Sequence, residues 1–398
     1  MARYKIAIVG GGFGGIKAAL LLAKNPRFEV TIITDKPDFK YYPSLFITAT
    51  GGMKKIAIIP LVKIFRRLPI TIVIDRVQTV DKIKHIVKTV DNKTFDYNSL
   101  VLAIGVQTNY FHISGLEQYS YGIKTIEDAE KFKKHLHDQI TKDKEPDLNY
   151  VVIGGGPTGV ELAAMLPGYV TKILKNHNLD SSGVHVDLIE AAKRILPRSS
   201  RDLSKKVEKH LNKLGINVYT NTVVQSETSG RLLVNNSPIK SHTVVWTAGV
   251  SNHPFYLENG FNISKHGRVI VDEYLQAEPD IYVIGDNADT RYSGMAQTAI
   301  YDAEFVSGNL IRTANNQKPL KYKPKEPIYV FNVGPRWSAV LWGRLRMYGI
   351  LGAALRKAAD IIGYHTFEPW HMAIEQVSEE SISEDDCPIC KKLLNSKY

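Results

Sequence analysis

Cysteine is almost missing from this chain of 398 residues: two occur, Cys387 and Cys390, both near the C-terminal end. That scarcity excludes a disulfide-stapled scaffold. It also excludes thiol chemistry by any residue before position 387. Long hydrophobic runs are missing too. No stretch reaches about 18 consecutive apolar residues, so no spanning helix is expected. The first residues, Met1 to Val9, run straight into a strand pattern, without the charged and then apolar regions of a secretory leader. Acidic charge is the scarcer sign. Asp and Glu number 40 against 51 Lys and Arg, a formal net charge of +11, which points to an anionic partner, nucleic acid or membrane surface. The rest is ordinary globular composition, 44% hydrophobic and 23% charged, which sets aside a disordered or fibrous chain. The length allows two or three domains of about 100–200 residues.

Two segments of the chain look alike. One is Lys5 to Ala19, with Gly10, Gly12 and Gly15; the other is Asn149 to Ala164, with Gly154, Gly156 and Gly159. Each reads as a short apolar strand, a glycine turn and an Ala/Leu-rich helix. In such a Gly-x-Gly-x-x-Gly unit the first glycine permits the tight turn. The second lets a pyrophosphate approach the backbone, and the third lets helix pack on strand. The helix start then offers free N–H groups and a positive dipole end to the phosphates. Asp35 ends the strand after the first unit, and Glu190 ends the run Val184 to Ile189 after the second. A carboxylate at that place accepts from ribose hydroxyls and repels a 2′-phosphate, which favours NADH over NADPH. Lys193 and Arg194 lie close enough to weaken the preference. Two such units in one chain point to two dinucleotides, most economically FAD and NADH, with hydride passing between them.

Between and after these units the pattern is alternating. Residues 116–148 read as polar and helical, with Lys142 to Pro146 as a linker. Strand-like runs follow at 184–190, 216–219 and 243–247, and a helix pattern begins near Ala296. Strands alternating with helices predict parallel α/β sheets. The expected fold is α/β with two Rossmann-type dinucleotide-binding domains. Residues 1–115 with 266–322 would form a discontinuous FAD-binding domain and 116–265 an NADH-binding domain. Residues 323–398 would form a membrane-associating region ending in an acidic tail with the Cys387-Cys390 pair.

The ordered motifs resemble one family. Gly10-Gly-Gly-Phe-Gly-Gly15, Tyr42-Pro-Ser-Leu45, Leu102-Ala-Ile-Gly105, Thr108-Asn-Tyr-Phe111 and Gly122-Ile-Lys-Thr125 are followed by Gly154 to Ala164. Trp246-Thr-Ala-Gly-Val250, Ile284-Gly-Asp286 and Ala296-Gln-Thr-Ala299 complete the series. Together they are similar to the type II NADH dehydrogenases, single-subunit NADH:quinone oxidoreductases that pump no protons. The resemblance implies that Gly10, Gly12, Phe13, Gly15 and Asp35 hold FAD, with Gly105 closing a turn against it and Asp286 near its ribityl–pyrophosphate part. It implies that Gly154, Gly156, Gly159 and Glu190 hold NADH and that Glu161 lies near the nicotinamide–flavin contact. Ala296 and Gln297 would lie against the flavin and border the quinone site. Tyr301 stands where the family carries a second glutamine, and Ile104 stands in place of a threonine.

From position alone, Glu161 reads as an acid complementing its helix dipole, and Gln297 as a polar group at a helix start. Cys387 and Cys390 supply two thiolates, short of a tetrahedral zinc site, so no metal is expected. Residues 311–357 carry ten Lys and Arg against one acid, Glu326, and Trp337, Trp342 and Trp370 lie in or near this stretch. A helix is expected from about Arg346 to Ile362, with Met347, Ile350, Leu351, Leu355 and Ile362 on one face and Arg346, Arg356, Lys357 and Asp360 on the other. That profile suits a helix lying on anionic lipid. The expected partners are NADH, a membrane quinone and an anionic membrane surface, with a homodimer possible and no nucleic acid. The expected place is the cytoplasmic face of the cell membrane. Sulfide:quinone oxidoreductases and disulfide reductases need cysteines by the flavin, which this chain lacks. A flavoprotein like the apoptosis-inducing factors, with a basic face for nucleic acid, is the rival from another class.

Overall fold

The computed structural model describes residues 3–141, 146–147 and 149–381. The linker read at 142–146 falls largely outside these residues, and Cys387 and Cys390 fall wholly outside them. Six strands form the first sheet, in the spatial order Gln276–Glu278, Ile281–Val283, Ser99–Leu102, Tyr4–Val9, Phe28–Thr34, Ile70–Ile74. Tyr4–Val9 is central and parallel to both neighbours, with Ile6 beside Val30 and Ile8 beside Val101. It is an unbroken apolar run because both sheet faces are covered, as parallel sheets require. On one face the helices Phe13–Leu22 and Ala296–Ala314 pack together through Ile16, Ala19, Ala303 and Val306. On the other, Val9 and Leu102 meet Tyr256, Phe261 and Val269.

The second sheet is also parallel, in the order Tyr121–Gly122, Thr243–Trp246, Asn149–Ile153, His185–Ile189, Ile216–Tyr219. Helix Pro157–Asn176 rises from its middle strand. Each unit also carries a small antiparallel meander, at residues 77–96 and 224–240, that the sequence reading did not include. The chain crosses between the units through Val106–Thr108 and Val250–Asn252, which pair antiparallel.

The C-terminal region differs from expectation. Tyr329–Asn332, Ser338–Trp342 and Leu345–Tyr348 form an antiparallel sheet, and the helix starts only at Gly349 and ends at His365. Arg346 and Met347 therefore lie on a strand. The signal was present: β-branched and aromatic runs separated by Gly334-Pro335 and by Gly343-Arg344, a two-residue hairpin turn. The faces of helix Gly349–His365 are also reversed. Its buried ridge is Gly352, Arg356, Asp360 and Tyr364, at i+4 spacing, while Ile350, Leu351 and Ile362 are 77%, 72% and 60% exposed. Gly352 sets the approach, since a Cβ there would stand 2.1 Å from the Ser338 carbonyl oxygen. Among the described residues no helix is long and apolar enough to cross a membrane.

Candidate active-site cleft

Both glycine loops open on one cleft of about 1450 Å³ between the two sheets. In the first loop Gly10 has φ +116°, and a Cβ there would stand 2.2 Å from the Ala103 carbonyl oxygen. A Cβ on Gly15 would stand 1.9 Å from the Gly10 oxygen, so helix and strand meet only through glycine. A Cβ on Gly12 would meet nothing within 4 Å, because it would project into the cleft. The second loop repeats all three facts: Gly154 has φ +109°, a Cβ on Gly159 would stand 1.9 Å from the Gly154 oxygen, and Gly156 faces open space. Neither helix start has a side-chain cap, which leaves first-turn amides available to an anion. Asp35 and Glu190 border the same cleft at the ends of the following strands. The residues present thus fit two dinucleotides: open cradles, uncapped helix starts and a carboxylate for each.

Glu190 is held rigidly. Its Oε2 accepts from the Gly155 amide at 2.7 Å and its Oε1 from the Ala192 amide at 2.7 Å. Arg194 does not compete for a phosphate, because its guanidinium donates to the carbonyls of Leu196, Pro197 and Ser199 at 3.2, 2.6 and 2.9 Å. Phe13 borders the cleft, but its ring is buried among Phe39, Tyr42 and Phe367.

The Gly-Asp turn is fixed by residues that sequence reasoning missed. Asn287, fully buried, accepts from the Gly105 amide at 2.8 Å and donates to the Gly105 carbonyl at 2.7 Å and to Asn252 Oδ1 at 2.5 Å. One carboxamide therefore grips the start of one interdomain strand and the end of the other. Asp302 accepts from the Gly285 amide at 3.0 Å and from the Tyr322 hydroxyl at 2.5 Å. Burial pushes its carboxyl up to about 6, against the pull of those two donors. Between these clamps Asp286 borders the cleft. Facing it, Lys124 sits 4.7 Å over the Tyr42 ring, and burial lowers its pKa while Asp286 opposes that.

Ala296 and Gln297 border the cleft at the start of helix Ala296–Ala314, and Gln297 Oε1 accepts from the Ile328 amide at 2.6 Å. Tyr301, one turn further, does not border it; the Lys325 ammonium lies 4.3 Å over its ring. Gly15 and Gly159 lie beneath the loops as packing contacts. The structure brings the other sequence-predicted positions to the one cleft.

Glu161 lies at the cleft and is buried. Its Oε1 accepts from Nη1 of Arg356 at 2.9 Å and from the Asn332 amide at 3.0 Å. Arg356 Nε donates to Asp360 Oδ2 at 2.5 Å. Burial pushes both carboxyls up, while Arg356 pulls both down. Burial also disfavours the Arg356 charge, but Asp360 and Glu161 more than offset it and keep it a cation. The three groups carry one excess negative charge when both acids are ionised, and burial favours the form in which a carboxyl holds a proton. The signal for Arg356 and Asp360 was an i,i+4 charged pair on a mostly apolar helix whose other charged side chain is Lys357. Among the described residues no cluster of His, Cys, Asp or Glu could hold a metal ion.

Comparison with known proteins agrees with this architecture. A type II NADH:quinone oxidoreductase of Mycobacterium tuberculosis is 27% identical over 370 residues, spanning 85% of this chain and 79% of that protein. One from Staphylococcus epidermidis is 27% identical over 383 residues, spanning 90% and 94%. The solved structure of NDH2 from Plasmodium falciparum with NADH superposes with a TM-score of 0.84 at 19% identity, over 95% of this chain and 97% of that one. The sulfide:quinone oxidoreductase of Aquifex aeolicus superposes at 0.78 with 18% identity, over 99% and 95%. These two structural likenesses establish the shared fold. The family model of the pyridine nucleotide-disulphide oxidoreductases matches residues 4–303, well over half the chain, and the chain belongs to that family.

Proposed function

We propose that this chain is an FAD-dependent NADH:quinone oxidoreductase that works at a membrane surface. The observation that carries the reading is the single cleft onto which both dinucleotide cradles open. In this reading residues 1–115 and 266–322 form the FAD-binding domain and 116–265 the NADH-binding domain. FAD, when bound there, would supply the two-electron chemistry that links hydride from NADH to reduction of a quinone. Gly10, Gly12 and the amides from Phe13 onward would hold its pyrophosphate, and Asp35 would accept from its ribose. Gly154, Gly156 and Glu190 do the same for NADH. Overall, NADH, one further proton and the quinone give NAD⁺ and the quinol. The Glu161–Arg356–Asp360 cluster holds that further proton beside the cleft, and Gln297 presents its amide group to the quinone end.

Support for a membrane surface comes from the reversed helix. Trp342 and Leu345 at the hairpin tip, Ile350, Leu351 and Ile362 on the helix, and Trp370 beyond it are all exposed apolar groups. A patch of this kind marks an interaction surface, and Arg344, Arg346 and Lys357 are exposed around it. A quinone in lipid reaches the cleft most directly from that side, and the cytoplasmic face supplies NADH. The test is NADH oxidation with a long-chain quinone in anionic vesicles, comparing the parent with Ile350→Ser/Leu351→Ser. Both positions are solvent-exposed, so the fold is retained. Loss of vesicle binding and of quinone-coupled turnover is expected. Undiminished vesicle binding moves the docking surface elsewhere, and dissociation of a dimer by the same substitutions assigns the patch to a second copy.

A further inference from the structure

The two strands that cross between the units are seated against the two glycine cradles. A Cβ on Gly10 would stand 2.2 Å from the Ala103 carbonyl oxygen, and one on Gly154 would stand 2.7 Å from the Ala248 Cα. Thr247 Oγ1 donates to the Ile153 carbonyl at 2.7 Å, which fastens the second seat. The strand Val106–Thr108 leaves from the first seat and Val250–Asn252 from the second, running in opposite directions. Three residue pairs lie between the seats: Val106 with Asn252, Gln107 with Ser251 and Thr108 with Val250. This ribbon is therefore a short spacer with one cradle at each end.

Both ends of the ribbon are fastened. At the second cradle the Asn109 amide donates to the Gly249 carbonyl at 3.0 Å, and Trp246 Nε1 donates to the Asn109 carbonyl at 2.9 Å. At the first cradle the fastening is the Asn287 carboxamide. Gly105 offers it one donor and one acceptor, which fixes its orientation, and its second N–H is taken by Asn252 Oδ1. The same Asn252 oxygen accepts from the His253 amide at 3.2 Å, while Asn252 Nδ2 is buried without a partner among the described residues. A buried donor left unpaired costs stability. Here it accompanies an Asn252 orientation that turns the oxygen to Asn287. The place needs two donors and one acceptor in a fully buried side chain. An ionised Asp donates none, and Ser or Thr donates once. Asn287 does not border the cleft, but Gly105 and Val106 do, so it acts on the cleft through them.

We propose that Asn287 is a positioning residue for hydride transfer: it latches the 106–108 and 250–252 ribbon at the first cradle and so sets the separation of two dinucleotides bound in the cleft. The inference rests on the oxidoreductase reading above and adds the residue that fixes its geometry. Transfer between bound groups falls steeply with their misplacement, about 100-fold for about 1 Å. A loosened ribbon therefore slows the step without weakening either nucleotide, because neither loses a contact.

The test compares the flavin-loaded parent with Asn287→Asp, which keeps the size but removes both donors, and with Asn252→Ala, which removes one bond of the latch. Flavin bleaching at saturating NADH, followed by stopped flow, should slow about 10-fold or more in Asn287→Asp and by less in Asn252→Ala. ADP-ribose affinity and flavin content should stay at the parent's level. Amide hydrogen exchange over residues 105–108 and 250–252 should quicken in both variants, a readout independent of turnover. Asn252→Ala carries the test if Asn287→Asp does not fold. Unchanged bleaching in the flavin-loaded variants overturns the proposal. A loss of flavin or of ADP-ribose affinity as large as the loss in rate also overturns it, by assigning Asn287 to binding. A parent that binds ADP-ribose but is never bleached by NADH refutes the oxidoreductase reading, and the positioning role with it.

Discussion

Glu161 and Arg356, 195 residues apart in the chain, form a buried ion pair at 2.9 Å that ties the helix of the second glycine loop to the C-terminal helix. Asp360 completes it from the next turn. Because all three groups are out of water, removing only the cation leaves two carboxyls facing each other without compensation. Arg356→Ala should cost about 3–5 kcal/mol, read as a lower urea midpoint. Combining Arg356→Met with Glu161→Gln and Asp360→Asn should restore most of it, because no buried charge then remains. An Arg356→Ala protein as stable as the parent would show that the cluster does not hold the C-terminal helix in place.

The glycine loops separate folding from ligand binding. Gly15→Ala places a Cβ 1.9 Å from the Gly10 oxygen and should disrupt the loop itself. Gly12→Ala meets no protein atom within 4 Å and should fold normally. Its methyl group occupies the approach of the pyrophosphate, so flavin affinity should fall about 10-fold or more. Melting curves with flavin absorbance distinguish the two, and a fully flavin-loaded Gly12→Ala protein would contradict the placement of FAD.

Nicotinamide nucleotide preference should lie in Glu190. Both its oxygens are fixed by backbone amides, and Arg194 is occupied by carbonyls, so little in this loop welcomes a 2′-phosphate. Glu190→Ala should narrow the NADH:NADPH ratio of flavin bleaching about 10-fold. Arg194→Ala should loosen the 196–199 loop and weaken both nucleotides alike. If Arg194→Ala selectively removes NADPH use, the loop is arranged differently.

Much of this site was legible in the residues, and the reason is steric. Gly10, Gly15, Gly154 and Gly159 stand where no Cβ fits, so their spacing carries the loop geometry with it, and Asp35 and Glu190 follow from strand length. What was not legible depends on long-range contacts. Arg356 looked like a lipid-facing cation because a helix wheel shows two faces without saying which is buried; its partner Glu161 lies on another unit. Asn287 acts by gripping Gly105 and Asn252, a role that no local pattern encodes. Tyr301 has the spacing of a cleft residue, yet its turn of the helix points it to Lys325.

Asp302 makes stability pH-dependent. Its ordinary value is 3.8, and burial raises it to about 6 in the folded protein. The native state therefore binds the proton more tightly than the unfolded chain. Stability falls as pH rises through the interval between the two values, and a penalty of about 3 kcal/mol is complete above pH 6. Asp302→Asn lacks this titration. The difference in unfolding free energy, parent minus variant, should move against the parent by up to that amount between pH 4 and pH 7. A difference independent of pH would mean that Asp302 stays ionised throughout.

The central claim is that the two glycine cradles place both dinucleotides in one cleft from which a quinone is reduced. Anaerobic stopped-flow of the flavin-loaded protein tests it directly: NADH is mixed first, then a quinone in anionic vesicles. The account predicts that the flavin absorbance bleaches with NADH, slows markedly in Glu190→Ala at limiting nucleotide, and returns with one quinol formed per NADH consumed. A folded, flavin-loaded protein that NADH fails to bleach, or a bleached flavin that quinone fails to recolour, would contradict it.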